Sequence, residues 1–254
     1  MAKPDVKPAT PPAAAPSTSS ASAPNAAAAP GSSNSETLPT PRILLPAPQP
    51  RTIIVIDPAH GGPDTGARIN DHLAEKDVVL ALAARLRVTL QSHNFTIVTT
   101  RDSDPAAGLT TNQRAEIANH TSAIACLVLH ATATGNGVHL FTSALAPAQH
   151  HGILPWATAQ AAFAGQSAAL QRELNTAFIH AQIATVNAQA GVAPLDNLTC
   201  PAVAVEIAPY LAPDASNTID VSDPDYQQHV AETITTALVF WRVHQSGPMN
   251  GVAQ

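Results

Sequence analysis

Ile53-Ile54-Val55-Ile56-Asp57-Pro58-Ala59-His60-Gly61-Gly62 is the stretch whose reading decides the fold. Its β-branched run, Ile53 to Ile56, has no polar alternation and predicts a strand covered on both faces, as in a parallel sheet. Pro58 stops that strand, and Gly61 and Gly62 permit a tight turn with close backbone approach. Open α/β sheets place ligands outside the carboxyl ends of their strands. His60 stands at such an end, where an imidazole can bind a metal.

Working outward, the first strand covers 52–57 and is followed by a Gly-, Asp- and Pro-rich loop over 58–74. Val78, Leu82, Leu86 and Leu90 recur at four-residue spacing, with Val79 beside them, and predict a helix over 75–91. A second strand covers 95–100, and 101–104 is a loop. A short helix over 111–119 has Thr110 or Thr111 as its N-cap. The continuous apolar run 124–129 reads as a central third strand, with His130 at its end. A fourth strand covers 137–142. Leu170, Leu174 and Phe178 predict a helix over 166–188, stopped by Gly191. A fifth strand covers 201–207 and ends in Val205-Glu206-Ile207. The last helix, 225–244, carries Val230, Ile234, Leu238 and Trp241 on one face, capped by Asp223 or Asp225. Strands alternating with helices imply an α/β fold: a single three-layer domain over 51–246, with a mostly parallel twisted sheet and helices on both faces.

Composition bounds the rest. Residues 1–50 are dominated by Pro, Ala, Ser and Thr and are expected to form a disordered tether, because they cannot bury enough surface to offset the entropy of ordering. Residues 247–254 are expected to be a loose tail. Net charge is −6, with twelve basic residues in 254 and no basic stripe, which argues against nucleic acid or an anionic membrane as partner. No apolar run approaches the ~20 residues of a membrane-spanning helix, and the N-terminus shows no signal-peptide core. Cys126 and Cys200 do not form a disulfide framework or a zinc-thiolate spacing. They read as buried small hydrophobes, and a bridge between them stays open.

Four polar residues fall at comparable places. His60 ends the first strand, Glu75 opens the first helix, His130 ends the third strand and Glu206 ends the fifth. Each has an ordinary explanation taken singly: a turn histidine, a helix-start carboxylate favoured by the macrodipole, a satisfied strand-end histidine. Glu206 is the hardest to dismiss, because an unpaired carboxylate beside a core is expensive. Together they match a catalytic zinc arrangement, with two imidazoles and a carboxylate as ligands, an open fourth position, and one further carboxylate to move protons.

In this order the segments resemble the zinc-dependent N-acetylmuramoyl-L-alanine amidases of the type-3 family. The resemblance is carried by Asp57-Pro-Ala-His-Gly-Gly62, Glu75-Lys-Asp77, Thr100-Arg-Asp-Ser-Asp104, Arg114-Ala-Glu-Ile-Ala-Asn119, Leu129-His-Ala131 and Pro201-Ala-Val-Ala-Val-Glu206. It covers about 51–245, and six segments in order are far more specific than any one. It implies that His60, Glu75 and His130 are zinc ligands and Glu206 the catalytic carboxylate. It further implies hydrolysis of the amide between N-acetylmuramic acid and L-alanine in peptidoglycan, a location in the cell envelope (periplasmic or extracellular), and room for an envelope activator.

Some positions depart from that pattern. Ala59 replaces a glycine before His60, which would tilt the imidazole if that position needs positive φ. Thr132 replaces an asparagine, and Leu195-Asp-Asn-Leu stands where a basic residue is usual. These departures keep two alternatives open: a catalytically weak peptidoglycan-binding envelope protein, and a zinc exopeptidase on wall peptides. The stretch 143–165 is a candidate covering insertion with Trp156 and Phe163 as anchors; an open site is expected. Of the other histidines, His150-His151 reads as an exposed loop pair, His139 faces one side of the fourth strand, and His72, His93, His120, His180, His229 and His244 lack partners at ligand spacing; most read as surface residues.

Overall fold

The computed structural model describes residues 52–148, 155–213 and 215–245. The expected tether over 1–50, the tail over 247–254 and the His150-His151 pair lie outside the described residues. In chain order the elements are β1 (Ile53–Pro58), α1 (Glu75–Ser92), β2 (Thr96–Thr99), α2 (Thr111–Asn119), β3 (Ala125–Ala131), β4 (Val138–Ser143), α3 (Ala164–His180), β5 (Thr185–Ala190), β6 (Ala202–Ile207) and α4 (Pro224–Gln245).

They form a single α/β domain around one sheet of order β2-β1-β3-β6-β4-β5. β1 is parallel to β2 and β3, β3 is parallel to β6, and β4 is antiparallel to β6 but parallel to β5. Ile54, Ile56, Leu127, Leu129, Val203 and Val205 face α1, α3 and α4, which contribute Leu82, Leu86, Leu174, Phe178, Ile234 and Leu238 to the larger core. The alternate residues Val55, Cys126, Val128, Ala202 and Ala204 face α2 and the segment around Leu195 and Leu198. Each central strand therefore buries both faces, which is why its sequence reads as continuously apolar.

The ends of the helices follow local chemistry. Thr110 caps α2, accepting from the Gln113 amide, while the Gln113 side chain accepts from the Thr110 amide. The Asp223 carboxylate accepts from the amides of Asp225 and Tyr226 at the start of α4.

The structure corrects one expected element. The helix over 166–188 ends at His180, and 185–190 is an edge strand, so the expected fifth strand is the sixth. The apolar period stops at Phe178. Gln182 adopts a left-handed φ of 61°, and the Ile183 amide returns to the Phe178 carbonyl, closing the helix. Thr185-Val186-Asn187-Ala188-Gln189-Ala190 lies at the sheet edge and is mostly solvent-facing, so it carries neither a buried run nor a clear alternation.

Cys126 and Cys200 are buried, as expected, and joined in a disulfide with Cα atoms 6.1 Å apart. The bond ties β3 to the approach to β6. Within the described part of the 143–165 stretch Trp156 is 45% exposed and Phe163 is half-buried, while one polar residue is anchored completely. It is Gln160, fully buried in a 3₁₀ segment (Trp156–Ala162), whose amide donates to the carbonyls of Leu198 and Cys200. Those carbonyls precede β6, so this anchor sits at the sheet edge opposite Glu206.

Candidate metal centre

Three parallel strands deliver side chains to one sheet edge: His60 follows β1, His130 is the penultimate residue of β3, and Glu206 that of β6. Glu75 arrives from the first residue of α1, buried to 5% exposure. His60, Glu75 and His130 converge so that one ligand atom from each lies within 4.8 Å of the other two.

The Glu75 carboxylate organises this group. Oε1 accepts from His130 Nδ1 at 2.8 Å and the Ala131 amide at 3.2 Å. Oε2 lies 3.2 Å from His60 Nε2 and accepts from the Ala67 amide at 2.8 Å. Each oxygen thus takes one backbone amide and one imidazole. Burial pushes the Glu75 carboxyl up, but the hydrogen bonds from His130, His60 and Ala67 outweigh it and hold the group well below the ordinary carboxylate range. His60 is raised by its bond to Glu75, against the lowering effect of burial, with a further upward contribution from Asp64. Asp64 Oδ2 holds the other ring nitrogen of His60 at 2.9 Å. Such an outer carboxylate fixes the tautomer and orientation of a metal-binding imidazole. The other ring nitrogen of His130 is buried without a hydrogen-bond partner among the described residues.

The residues present fit a divalent metal. Two imidazoles and a carboxylate form a ligand set for a borderline-soft ion with an open position. Gly66, at φ +65°, leaves room for it: an added Cβ would stand 2.6 Å from both Glu75 Oε2 and His60 Cδ2.

The backbone that presents His60 is held by buried arginines. His60 itself has the left-handed φ, 61°, followed by Gly61 and Gly62. Ala59 has none, so the alanine meets no left-handed penalty and the tilt considered for it does not arise. Arg114 pairs with the buried Asp57 at 2.7 Å and donates to the carbonyls of Pro58 and His60. Arg101 donates to the carbonyls of Pro58 and Ala59 and reaches Lys76. Thr100 donates to Asp57. Asp104 accepts from the Gly62 amide and pairs with Lys76 Nζ at 2.7 Å. Three of the quoted sequence segments therefore serve one purpose, the posture of the 58–62 turn.

Glu206 is not part of the convergent triad. It sits beside His130 in register across β3 and β6, and its Oε1 is 2.7 Å from His139 Nδ1 on β4. His139 is thus partly buried in a polar pair, a partner the sequence did not suggest. Sequence reasoning missed it because nothing in Val138-His139-Leu140-Phe141 tells that β4 runs antiparallel to β6, which brings the start of β4 to the functional edge. Asp64, Arg101, Arg114 and Gly66 also went without roles. His72, His93, His120, His180, His229 and His244 are exposed, as expected.

A model of the N-acetylmuramoyl-L-alanine amidase family matches residues 54–239. The chain belongs to that family. The germination-specific N-acetylmuramoyl-L-alanine amidase of Bacillus subtilis (strain 168) is 27% identical over 216 residues, 77% of this chain and 82% of that amidase. Among solved structures, the amidase AmiC2 of Nostoc punctiforme aligns with TM-score 0.56 and 25% identity, covering 74% of this chain and 96% of that one. The amidase Ami1 of Mycobacterium smegmatis aligns with TM-score 0.61, covering 76% and 98%; at 18% identity it speaks for the fold alone. The amidase-family match spans β1 to α4, and so every residue of the triad together with Glu206.

Proposed function

We propose that this chain is a zinc-dependent amidase that cleaves the bond between N-acetylmuramic acid and L-alanine in peptidoglycan, with His60, Glu75 and His130 as zinc ligands and Glu206 as the catalytic carboxylate. The observation that carries this reading is the convergence of two imidazoles on one buried carboxylate, in a chain of the amidase family. When bound, zinc would polarise the scissile carbonyl and lower the pKa of the attacking water toward ~7.

The chain's own residues supply the remainder. Asp64 orients His60, and Arg114 and Arg101 hold the turn that carries it. Glu206 takes the proton of the attacking water and passes it to the leaving amine as the C–N bond breaks. The Cys126–Cys200 disulfide supports maturation in an oxidising compartment, in keeping with a place in the cell envelope. Among the described residues no helix is long and apolar enough to cross a membrane.

The test is mass spectrometry of soluble products after the zinc-loaded chain meets purified peptidoglycan. Free stem peptides beginning with L-alanine are expected. Shortened peptides still attached to muramic acid would assign a peptidase instead. No release at stoichiometric zinc would point to a binding role or to an enzyme that needs an activator.

A further inference from the structure

His139 has no part in the reading above, yet it is held at that edge from several sides. In the antiparallel register of β4 and β6 it stands directly opposite Glu206, while His130 stands opposite Glu206 on the other side. Directly paired residues point to the same face of a sheet. The carboxylate therefore occupies the middle of a row whose ends are a candidate ligand imidazole and His139.

The His139 ring is fitted, not merely tolerated. Gly135, at φ +100°, passes so close that an added Cβ would lie 2.8 Å from its Cε1 and 3.0 Å from its Nε2. Phe141, two residues along the same strand face, meets the ring edge-on at 6.5 Å between centroids. Side chains of 18% and 29% exposure meet in the 2.7 Å contact between Nδ1 and Glu206 Oε1. Among the described residues no protein group bonds Glu206 Oε2.

We propose that His139 is a positioning residue for Glu206: its Nδ1–H holds Oε1 and leaves Oε2 as the single oxygen that receives and returns the proton. This rests on Glu206 being the catalytic base. As the water oxygen bonds to the scissile carbon, its proton moves to Glu206 Oε2. As the C–N bond breaks, that proton moves to the leaving nitrogen. His139 keeps its own proton on Nδ1 throughout and pins one rotamer of the carboxylate.

The test joins histidine ¹⁵N NMR of the zinc-free protein with kinetics of the zinc-loaded one. His139 is expected as the Nδ1–H tautomer in the wild type, and that preference is expected to vanish in Glu206→Ala. His139→Ala, or His139→Leu where the alanine variant folds poorly, is expected to lower kcat on the order of 10- to 100-fold, as for other outer hydrogen-bond partners of site residues. KM and zinc content stay unchanged. His139→Asn, whose side-chain amide can replace Nδ1–H, is expected to recover kcat to within several-fold of wild type. An Nε2–H tautomer in the wild type, an asparagine variant as slow as the alanine one, or loss of zinc in the His139 variants would overturn the proposal. Full activity in Glu206→Gln would instead overturn the base assignment beneath it, while the tautomer measurement still reports on the pair.

Discussion

The Arg114 guanidinium donates to the main-chain carbonyl of His60, the residue whose left-handed φ aims the imidazole into the site. The same side chain neutralises Asp57 inside the protein, with both groups under a tenth exposed. One arginine thus joins fold stability to the posture of a side chain in the candidate metal centre. Non-glycine residues in that backbone region persist only where their surroundings over-determine them.

Arg114→Leu should therefore be costly. It strands the Asp57 charge in the core, and breaking one side of a buried pair destabilises by about 3–5 kcal/mol. Arg114→Lys should recover only part, because one ammonium cannot serve Asp57 and two carbonyls in the planar geometry of the guanidinium. Urea unfolding of the three proteins measures this; near-wild-type stability of Arg114→Leu would refute it.

Gly66→Ala separates metal binding from folding. The new Cβ would press on Glu75 Oε2 and His60 Cδ2, and the position has positive φ, which alone costs roughly 1 kcal/mol. Zinc affinity should drop at least tenfold while the far-ultraviolet circular dichroism stays native. Equilibrium zinc titration against a competing chelator gives the answer, and an unchanged affinity would count against the triad as the binding site.

Acid and zinc should compete for the same atoms. In the metal-free protein His60 is raised above its ordinary 6.5, first by Glu75, so its contribution to stability is full below 6.5 and fades as pH rises through its folded value. Glu75 is lowered from 4.5, so its contribution is present above 4.5 and fades as pH falls through its folded value. The site thus stabilises the metal-free chain most between pH 4.5 and 6.5. Zinc needs deprotonated ligands, so the rise in Tm on adding it should grow as pH rises above 6.5 and through the raised folded value of His60. Thermal melts with and without zinc across that range would show it; a zinc effect independent of pH would contradict it.

Reducing Cys126–Cys200, which closes a sequence separation of 74, should cost about 2–4 kcal/mol. Denaturation with and without reductant measures the loss. A change below about 0.5 kcal/mol would mean that the surrounding core holds β3 and β6 together unaided.

The legible parts of this chain were those with a strong period or a strong exclusion. β1 and β3 announced themselves as apolar runs because both faces are buried, and α1 did so through Val78, Leu82, Leu86 and Leu90. His60, Glu75 and His130 could be placed because strand ends and helix starts share an edge in a parallel sheet. β5 escaped because an edge strand of Thr, Asn, Ala and Gln has no face to bury. His139 escaped because its role depends on one antiparallel pairing, a tertiary fact without local trace. The disulfide was open in sequence, since proximity of residues 126 and 200 depends on the neighbouring course of β3 and β6.

The central claim is that three of the four polar residues bind zinc and the fourth does chemistry. The most direct measurement is zinc content by plasma mass spectrometry, paired with stem-peptide release, on Glu206→Gln purified beside the wild type. The account predicts one zinc per chain in both, with release in the variant reduced on the order of 10²- to 10⁴-fold. Loss of zinc from Glu206→Gln, or wild-type release despite it, would contradict the division between ligands and catalytic carboxylate.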